Sequence, residues 1–271
     1  EIKKNILKKG YEKPTPIQDR AIPHILRGED VVGIANTGTG KTAAFLVPLI
    51  DKVKKNPKEQ ILIIVPTREL AQQIDVEFKE FARGMGLFSV CCVGGASIVP
   101  QLRALRFKNN FIIGTPGRLK DLIDRGNIRL ADFRTLVLDE ADRMLDMGFI
   151  HDMRAIMEAM PKERHTLFFS ATISTEIERL IKDFLKDPVR IKVSTRQTAS
   201  NVEQDVIKVP RGGSKIDALQ TLLKKQEFNK VLVFGRTKHG VEALSKELSA
   251  RGFKAGSIHG NKSQRDRQRS L

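Results

Sequence analysis

The chain has 271 residues, and 48 Lys+Arg against 32 Asp+Glu leave a formal charge of +16. Apolar residues at 40% and charged residues at 30% are ordinary for a globular protein and do not suggest disorder. The longest apolar runs are strand-sized, which excludes a membrane-spanning helix. The adjacent pair Cys91-Cys92 makes no disulfide framework and reads as small apolar residues in a reducing, cytoplasmic setting.

In chain order, Lys3, Lys4, Lys8 and Lys9 surround Ile2, Ile6 and Leu7, the pattern of an amphipathic helix with a solvated face. Apolar, β-branched runs then predict strands over 31–35, 61–65, 88–93, 111–114, 135–139, 166–169 and 189–193. Segments of helical period lie between them; in one, Leu70, Ile74, Phe78 and Phe81 share a face. Such alternation predicts an α/β fold, a parallel sheet with helices on both faces. Met153, Met157 and Met160 follow helical spacing and read as core packing. No two histidines stand at metal-ligand spacing.

Residues 194–201 are polar and aperiodic and read as a linker. Beyond it, strands are expected at 202–209, 231–234 and 254–258, with helices near 215–225 and 240–250. The expected organisation is a first domain over 1–193, a linker over 194–201 and a partial second domain over 202–271. The opening at Glu1 without Met and the basic end at Leu271 suggest a chain cut at both ends.

The excess of cations points to a polyanion, most often nucleic acid. With no Trp and one Tyr, the sugar–phosphate backbone is the expected handle rather than stacked bases.

The first strand runs into Asn36-Thr37-Gly38-Thr39-Gly40-Lys41-Thr42 and then a helix. A glycine-rich turn there surrounds phosphate oxygens with N–H groups; Lys41 suits the β- and γ-phosphates, and the Thr42 hydroxyl suits Mg²⁺. Ala35 stands where the P-loop pattern has Gly. An ordinary strand–helix turn is one competing reading. A dinucleotide site at Gly38, Gly40 and Ala43 is another, but it wants an acid where Val65-Pro66-Thr67 stands. Further on, the strand at 135–139 delivers Asp139, Glu140 and Asp142 at its carboxyl end. Asp139 suits Mg²⁺ and Glu140 an attacking water; the competing reading is a helix N-terminus charged to suit its dipole.

With Asp139-Glu140-Ala141-Asp142, these motifs resemble the DEAD-box RNA helicases. Tyr11, Lys13, Pro14, Thr15 and Gln18 resemble the family's Q motif, which implies that Gln18 pairs with the adenine edge. An aromatic that the family stacks on the adenine would lie upstream of Glu1. Pro66-Thr67-Arg68, Gly94-Gly95 and Thr115-Pro116-Gly117-Arg118 resemble its RNA-contact motifs. Ser170-Ala171-Thr172 resembles the motif that couples nucleotide to strand separation, and with it Asp142 takes a coupling role. Thr237 and Gly260, with Gln264 and Arg267, resemble motifs of the second domain. Residues 143–149, 236–240 and 258–264 are most similar to the bacterial RhlE-type branch.

The resemblance implies two RecA-like domains, ATP and Mg²⁺ as cofactors, and RNA as a partner held by its backbone across the cleft between domains. It implies a monomer that unwinds short duplexes. Arginines that reach the γ-phosphate in the family are not found after Gln264 and Arg267, so weak turnover by this chain is expected. A nucleotide-gated RNA-binding or annealing module is the alternative reading. A DNA helicase is a third; the Q motif, and Asp142 where such relatives carry His, argue against it.

Overall fold

The computed structural model describes residues 1–193 and 202–270; the expected linker at 194–201 lies outside the described residues. The chain divides into two compact units, Glu1–Gln197 and Thr198–Leu271.

The first unit opens with α1 (Ile2–Lys8), α2 (Pro16–Leu26), β1 (Val31–Ile34) and α3 (Lys41–Lys55). It continues with β2 (Ile61–Ile64), α4 (Arg68–Phe81), β3 (Ser89–Cys92), α5 (Ile98–Leu105), β4 (Phe111–Gly114) and α6 (Pro116–Asp124). β5 (Thr135–Leu138), α7 (Ala141–Asp146), α8 (Ile150–Ala159), β6 (His165–Ser170), α9 (Thr175–Phe184) and β7 (Val189–Lys192) complete it. The seven strands form one sheet in the order β3-β4-β2-β5-β6-β1-β7, and every neighbouring pair is parallel.

Each strand expected in the first domain is present, and the reason is visible in β2. Its four residues are fully buried because both faces of the sheet are covered. Ile61 and Ile63 pack with Phe45, Leu49, Ile74 and Phe78 in one layer. Leu62 and Ile64 pack with Leu119, Met153, Met157 and Ile177 in the other. Full burial of each such side chain contributes about 1.5–3 kcal/mol. Burial also pushes the Cys91 and Cys92 thiols up to about 12, so both behave as small apolar residues.

The two ends of the sheet differ. At the amino ends of the strands, Asp30 accepts the N–H groups of Thr166 at 2.7 Å and Lys186 at 3.0 Å, and Lys52 bridges Glu59 and Thr135. Those side chains are satisfied by one another or by backbone. The carboxyl ends carry the motifs.

The second unit contains α10 (Lys215–Leu223), α11 (Lys238–Ala250) and α12 (Gln264–Ser270). The structure corrects the strands expected at 202–209, 231–234 and 254–258: no strand is formed there among the described residues. Leu232 is 75% exposed and Phe234 88%. Apolar patterning selects residues for burial, but a strand also needs a neighbouring backbone to take its N–H and C=O groups. No such ladder forms within the described part of this unit.

Candidate functional site

The turn after β1 folds as a phosphate cradle requires. Gly38 has φ 82° and Gly40, the N-cap of α3, has φ 90°. A side chain would be strained at either. The Lys41 ammonium, at the first helical position, donates to the Ala35 carbonyl at 2.8 Å, and the Thr39 hydroxyl donates to the Asn36 carbonyl at 2.8 Å. Thr37 is exposed and Thr42 half-buried. The Lys41 contact gives Ala35 a role: its buried methyl packs in the core while its carbonyl steadies the lysine.

Gln18, at the third position of α2, joins the Q-motif stretch to this turn. Its Oε1 accepts from the Thr15 N–H at 2.9 Å and its Nε2 donates to the Gly40 carbonyl at 3.1 Å. A Cβ on Gly40 would lie 2.5 Å from that Nε2, so glycine there serves both the turn and the close approach. The amide keeps a second lone pair and a second N–H for a base edge, although the side chain is only 3% exposed. Lys13 and Pro14 are exposed, and Tyr11 packs edge-on against Phe81 at 5.8 Å. Beside Gln18 lies a cavity of about 350 Å³ whose lining includes Tyr11, Ile22, Ala43, Val47 and Phe81.

Asp139 follows β5, and its N–H is tied to Ile64 of β2 at 3.0 Å. It is 2% exposed, and its carboxylate accepts the Glu140 N–H at 2.9 Å. Burial pushes this carboxyl up to about 6, although the nearby Lys41 charge pulls it down; Glu140 adds to the rise. Glu140 adopts φ 52°, left-handed for a non-glycine residue, and its carboxylate pairs with Arg143 at 3.2 Å.

Asp142 reaches the loop after β6. Its Oδ2 accepts from the Thr172 N–H at 2.9 Å, the Thr172 hydroxyl at 2.9 Å and the Ala171 N–H at 3.2 Å. Ser170 closes the network: its hydroxyl donates to the Thr172 carbonyl at 2.7 Å and accepts from the Asp142 N–H at 3.3 Å. Partial burial raises the Asp142 carboxyl, but the bonds from Thr172, Ser170 and Arg143 outweigh it and hold the group below its ordinary value.

The expected RNA-contact residues gather at the ends of β2, β4 and β3. Thr67 caps α4, accepting the Leu70 N–H at 3.2 Å, beside the buried Pro66. Arg68 lies flat against Gly95, where a Cβ would fall 2.0 Å from the guanidinium. The Gly94 N–H donates to the Thr115 hydroxyl at 3.5 Å, and Arg118 donates to the Ala96 carbonyl at 3.3 Å. Pro116 is buried at the start of α6 and Gly117 is exposed. These three motifs therefore form one connected surface.

Sequence reasoning missed Gln101. It is buried, accepts the Val93 N–H at 3.1 Å and donates to the carbonyls of Val93 and Ser97, both at 3.1 Å. It fixes the exit of β3 and so the placing of Gly94-Gly95. A glutamine on an otherwise apolar helix face was the available signal.

Thr237 and Gly260 lie in the second unit. Thr237 caps α11 by accepting the Gly240 N–H at 3.0 Å, and Lys238 donates to Asn261 at 3.2 Å, which brings the two stretches together.

The family profile described as DEAD/DEAH box helicase matches residues 15–180, and that of the helicase conserved C-terminal domain matches 214–271. The chain is 44% identical over 261 residues to the RNA helicase CrhR of Synechocystis sp., covering 96% of this chain and 53% of that protein. It is 42% identical over 273 residues to the DEAD-box ATP-dependent RNA helicase CshA of Bacillus subtilis, covering 100% and 55%. A crystal structure of a DEAD box protein from the hyperthermophile Methanococcus jannaschii superposes with a TM-score of 0.69 at 41% identity, covering 99% of this chain and 72% of that one. The chain spans about half the length of the curated relatives it matches. These relatives carry the CrhR and CshA names; the RhlE-type likeness stays an expectation of the sequence. With one family profile over more than half its length and the phosphate turn and acid cluster folded as described, the chain belongs to the DEAD/DEAH box helicase family.

Proposed function

We propose that the protein containing this chain is an ATP-dependent RNA helicase that couples nucleotide turnover to local separation of RNA strands. The observation that carries the reading is the Asp142 network. One carboxylate, three residues on from the buried Asp139, holds the loop at Ala171 and Thr172. A change at the phosphate site thereby acts directly on that loop.

The residues suit ATP with Mg²⁺. Positive-φ glycines open the turn, Lys41 supplies a buried cation, and Asp139 is a buried carboxyl whose raised titration marks the need for a nearby cation. Among the described residues no three His, Cys, Asp or Glu side chains cluster as a metal cage. That suits Mg²⁺, which keeps water and phosphate ligands beside one or two protein groups. Bound Mg²⁺ would neutralise charge developing on the phosphates. Thr42 and Asp139 would hold it, Lys41 would bind the phosphates, Glu140 would orient water and take its proton, and Gln18 would select adenine. Threonine hydroxyls, Gly94 and the arginines suit phosphate and 2′-OH contacts without base readout. Cytoplasmic RNA is the substrate class assigned, on the likeness to bacterial RNA helicases, with the protein acting as a monomer.

The test is binding of a fluorescent ATP analogue with Mg²⁺, and of single-stranded RNA with and without that analogue. Lys41→Ala is expected to weaken nucleotide binding roughly ten-fold or more, as loss of a charge-assisted contact implies. Nucleotide should tighten RNA binding in the parent and fail to do so in the variant. Equal nucleotide affinity of parent and variant would overturn the assignment.

A further inference from the structure

We propose that the flank of the first unit built around α5, ending in the exposed ring of Phe107, is a second contact for single-stranded RNA, outside the motif residues. The proposal rests on the RNA reading above.

Charge is the first observation. Residues 81–120 contain six cations and no acid. Arg118 and Lys120 are answered by Asp121 and Asp124 just beyond the stretch, which leaves Arg103, Arg106 and Lys108 as a local concentration of positive charge at the end of α5.

Presentation is the second. Val99, Arg103, Arg106 and Phe107 recur on the solvent side of α5 and its C-terminal turn, and all are exposed. Phe107 is 75% exposed, the most exposed large apolar side chain described in this unit. Its backbone is fixed on both sides. The Phe107 N–H donates to the Ala104 carbonyl at 3.2 Å, and the Asn109 amide donates to the carbonyls of Ala104 and Phe107, both at 2.9 Å. The ring is therefore held out from a rigid turn. The side chains of Arg103, Arg106 and Lys108 make no hydrogen bond or ion pair among the described residues.

Placement is the third. α5 starts directly after Gly94-Gly95, where Gln101 anchors it, and leads away for about 12 Å at 1.5 Å per residue. A strand leaving the motif surface along this helix meets Arg103, Arg106 and then the ring and Lys108.

Cations along a backbone with an aromatic that stacks any base make a sequence-tolerant single-strand contact. An acidic protein segment would also answer the cations. It would need an apolar rim around the ring, and the ring's chain neighbours are Arg106, Lys108 and Asn109.

Anisotropy titrations with single-stranded RNA of about 8 and about 20 nucleotides test this, the longer exceeding typical single-strand site sizes. Phe107→Leu should weaken long RNA about five-fold or more, and Phe107→Trp should restore it. Replacing Arg103, Arg106 and Lys108 by Gln should lower the salt slope for long RNA by about 2, at about 0.7 per phosphate. Short-RNA and nucleotide affinities should stay unchanged. Unchanged long-RNA affinity overturns the proposal, as does equal loss on both lengths. Poly-glutamate bound as tightly as RNA would overturn it in favour of an acidic protein. A parent chain that binds neither RNA overturns the RNA reading itself, and is told apart by needing no variant.

Discussion

The carboxyl edge of the sheet has two flanks built on opposite electrostatic terms. On the β5-β6-β1 flank, charge is drawn into the fold. Asp139 and Lys41 are 2% and 6% exposed, and Asp142 is satisfied by Thr172 and Ala171. On the β3-β4-β2 flank, Arg118 and Lys120 pair with Asp121 and Asp124, but Arg103, Arg106 and Lys108 face no acid of their own stretch, and the motif residues are threonines, glycines and arginines. The first flank suits a small, highly charged ligand that must be oriented closely. The second suits a long polyanion whose charge is supplied from outside. β2 and β5 are neighbours, so the two flanks meet where the Asp139 N–H is bonded to Ile64.

Asp142→Ala should damage the first flank most. It removes three hydrogen bonds to a charged acceptor and leaves the Thr172 and Ala171 N–H groups unpaired. At about 1.5–3 kcal/mol per such bond, even one loss uncouples the loop, so RNA-stimulated turnover by the protein containing this chain should fall about 10–100-fold. Nucleotide affinity should change little; steady-state ATPase assays beside nucleotide titration check both, and an equal fall in both would contradict the coupling role. Next is Gly95→Ala on the second flank. Its φ of 67° penalises any side chain, and the new methyl would drive into the Arg68 guanidinium. RNA affinity should fall about ten-fold, as for the loss of one good phosphate contact, with nucleotide affinity intact.

The smallest effect concerns stability. Asp139→Asn removes a carboxyl whose titration burial has pushed to about 6 from 3.8. A raised carboxyl binds its proton more tightly folded than unfolded, so native stability falls as pH rises from about 4 to 6. The variant should therefore melt higher than the parent at pH 7.5, by about 2–4 °C for each kcal/mol relieved, and no higher at pH 4. Its Mg²⁺-dependent nucleotide binding should be lost. Calorimetry at the two pH values decides the first point, and an equal shift at both would remove the burial argument.

The first unit was legible because its signals are local. Seven strands read as apolar runs, and the glycine-rich turn and the acid cluster each lie within a few residues of one strand end. Contacts set by packing were not legible. Arg68 against Gly95, Gln18 against Gly40 and Gln101 at the exit of β3 join residues that only the folded sheet brings together. The second unit failed for a related reason. Its apolar runs predict strands, but pairing is a property of neighbours and not of the run itself.

Glu140 carries a consequence for anyone who would improve this protein. Its left-handed backbone at φ 52° costs a non-glycine residue roughly 1–2 kcal/mol, a cost that Gly avoids and Asn reduces. Selection for heat resistance alone would therefore favour Gly or Asn at position 140 and remove the carboxylate proposed to orient the attacking water. Evolution for durability and evolution for turnover pull in opposite directions at this one residue.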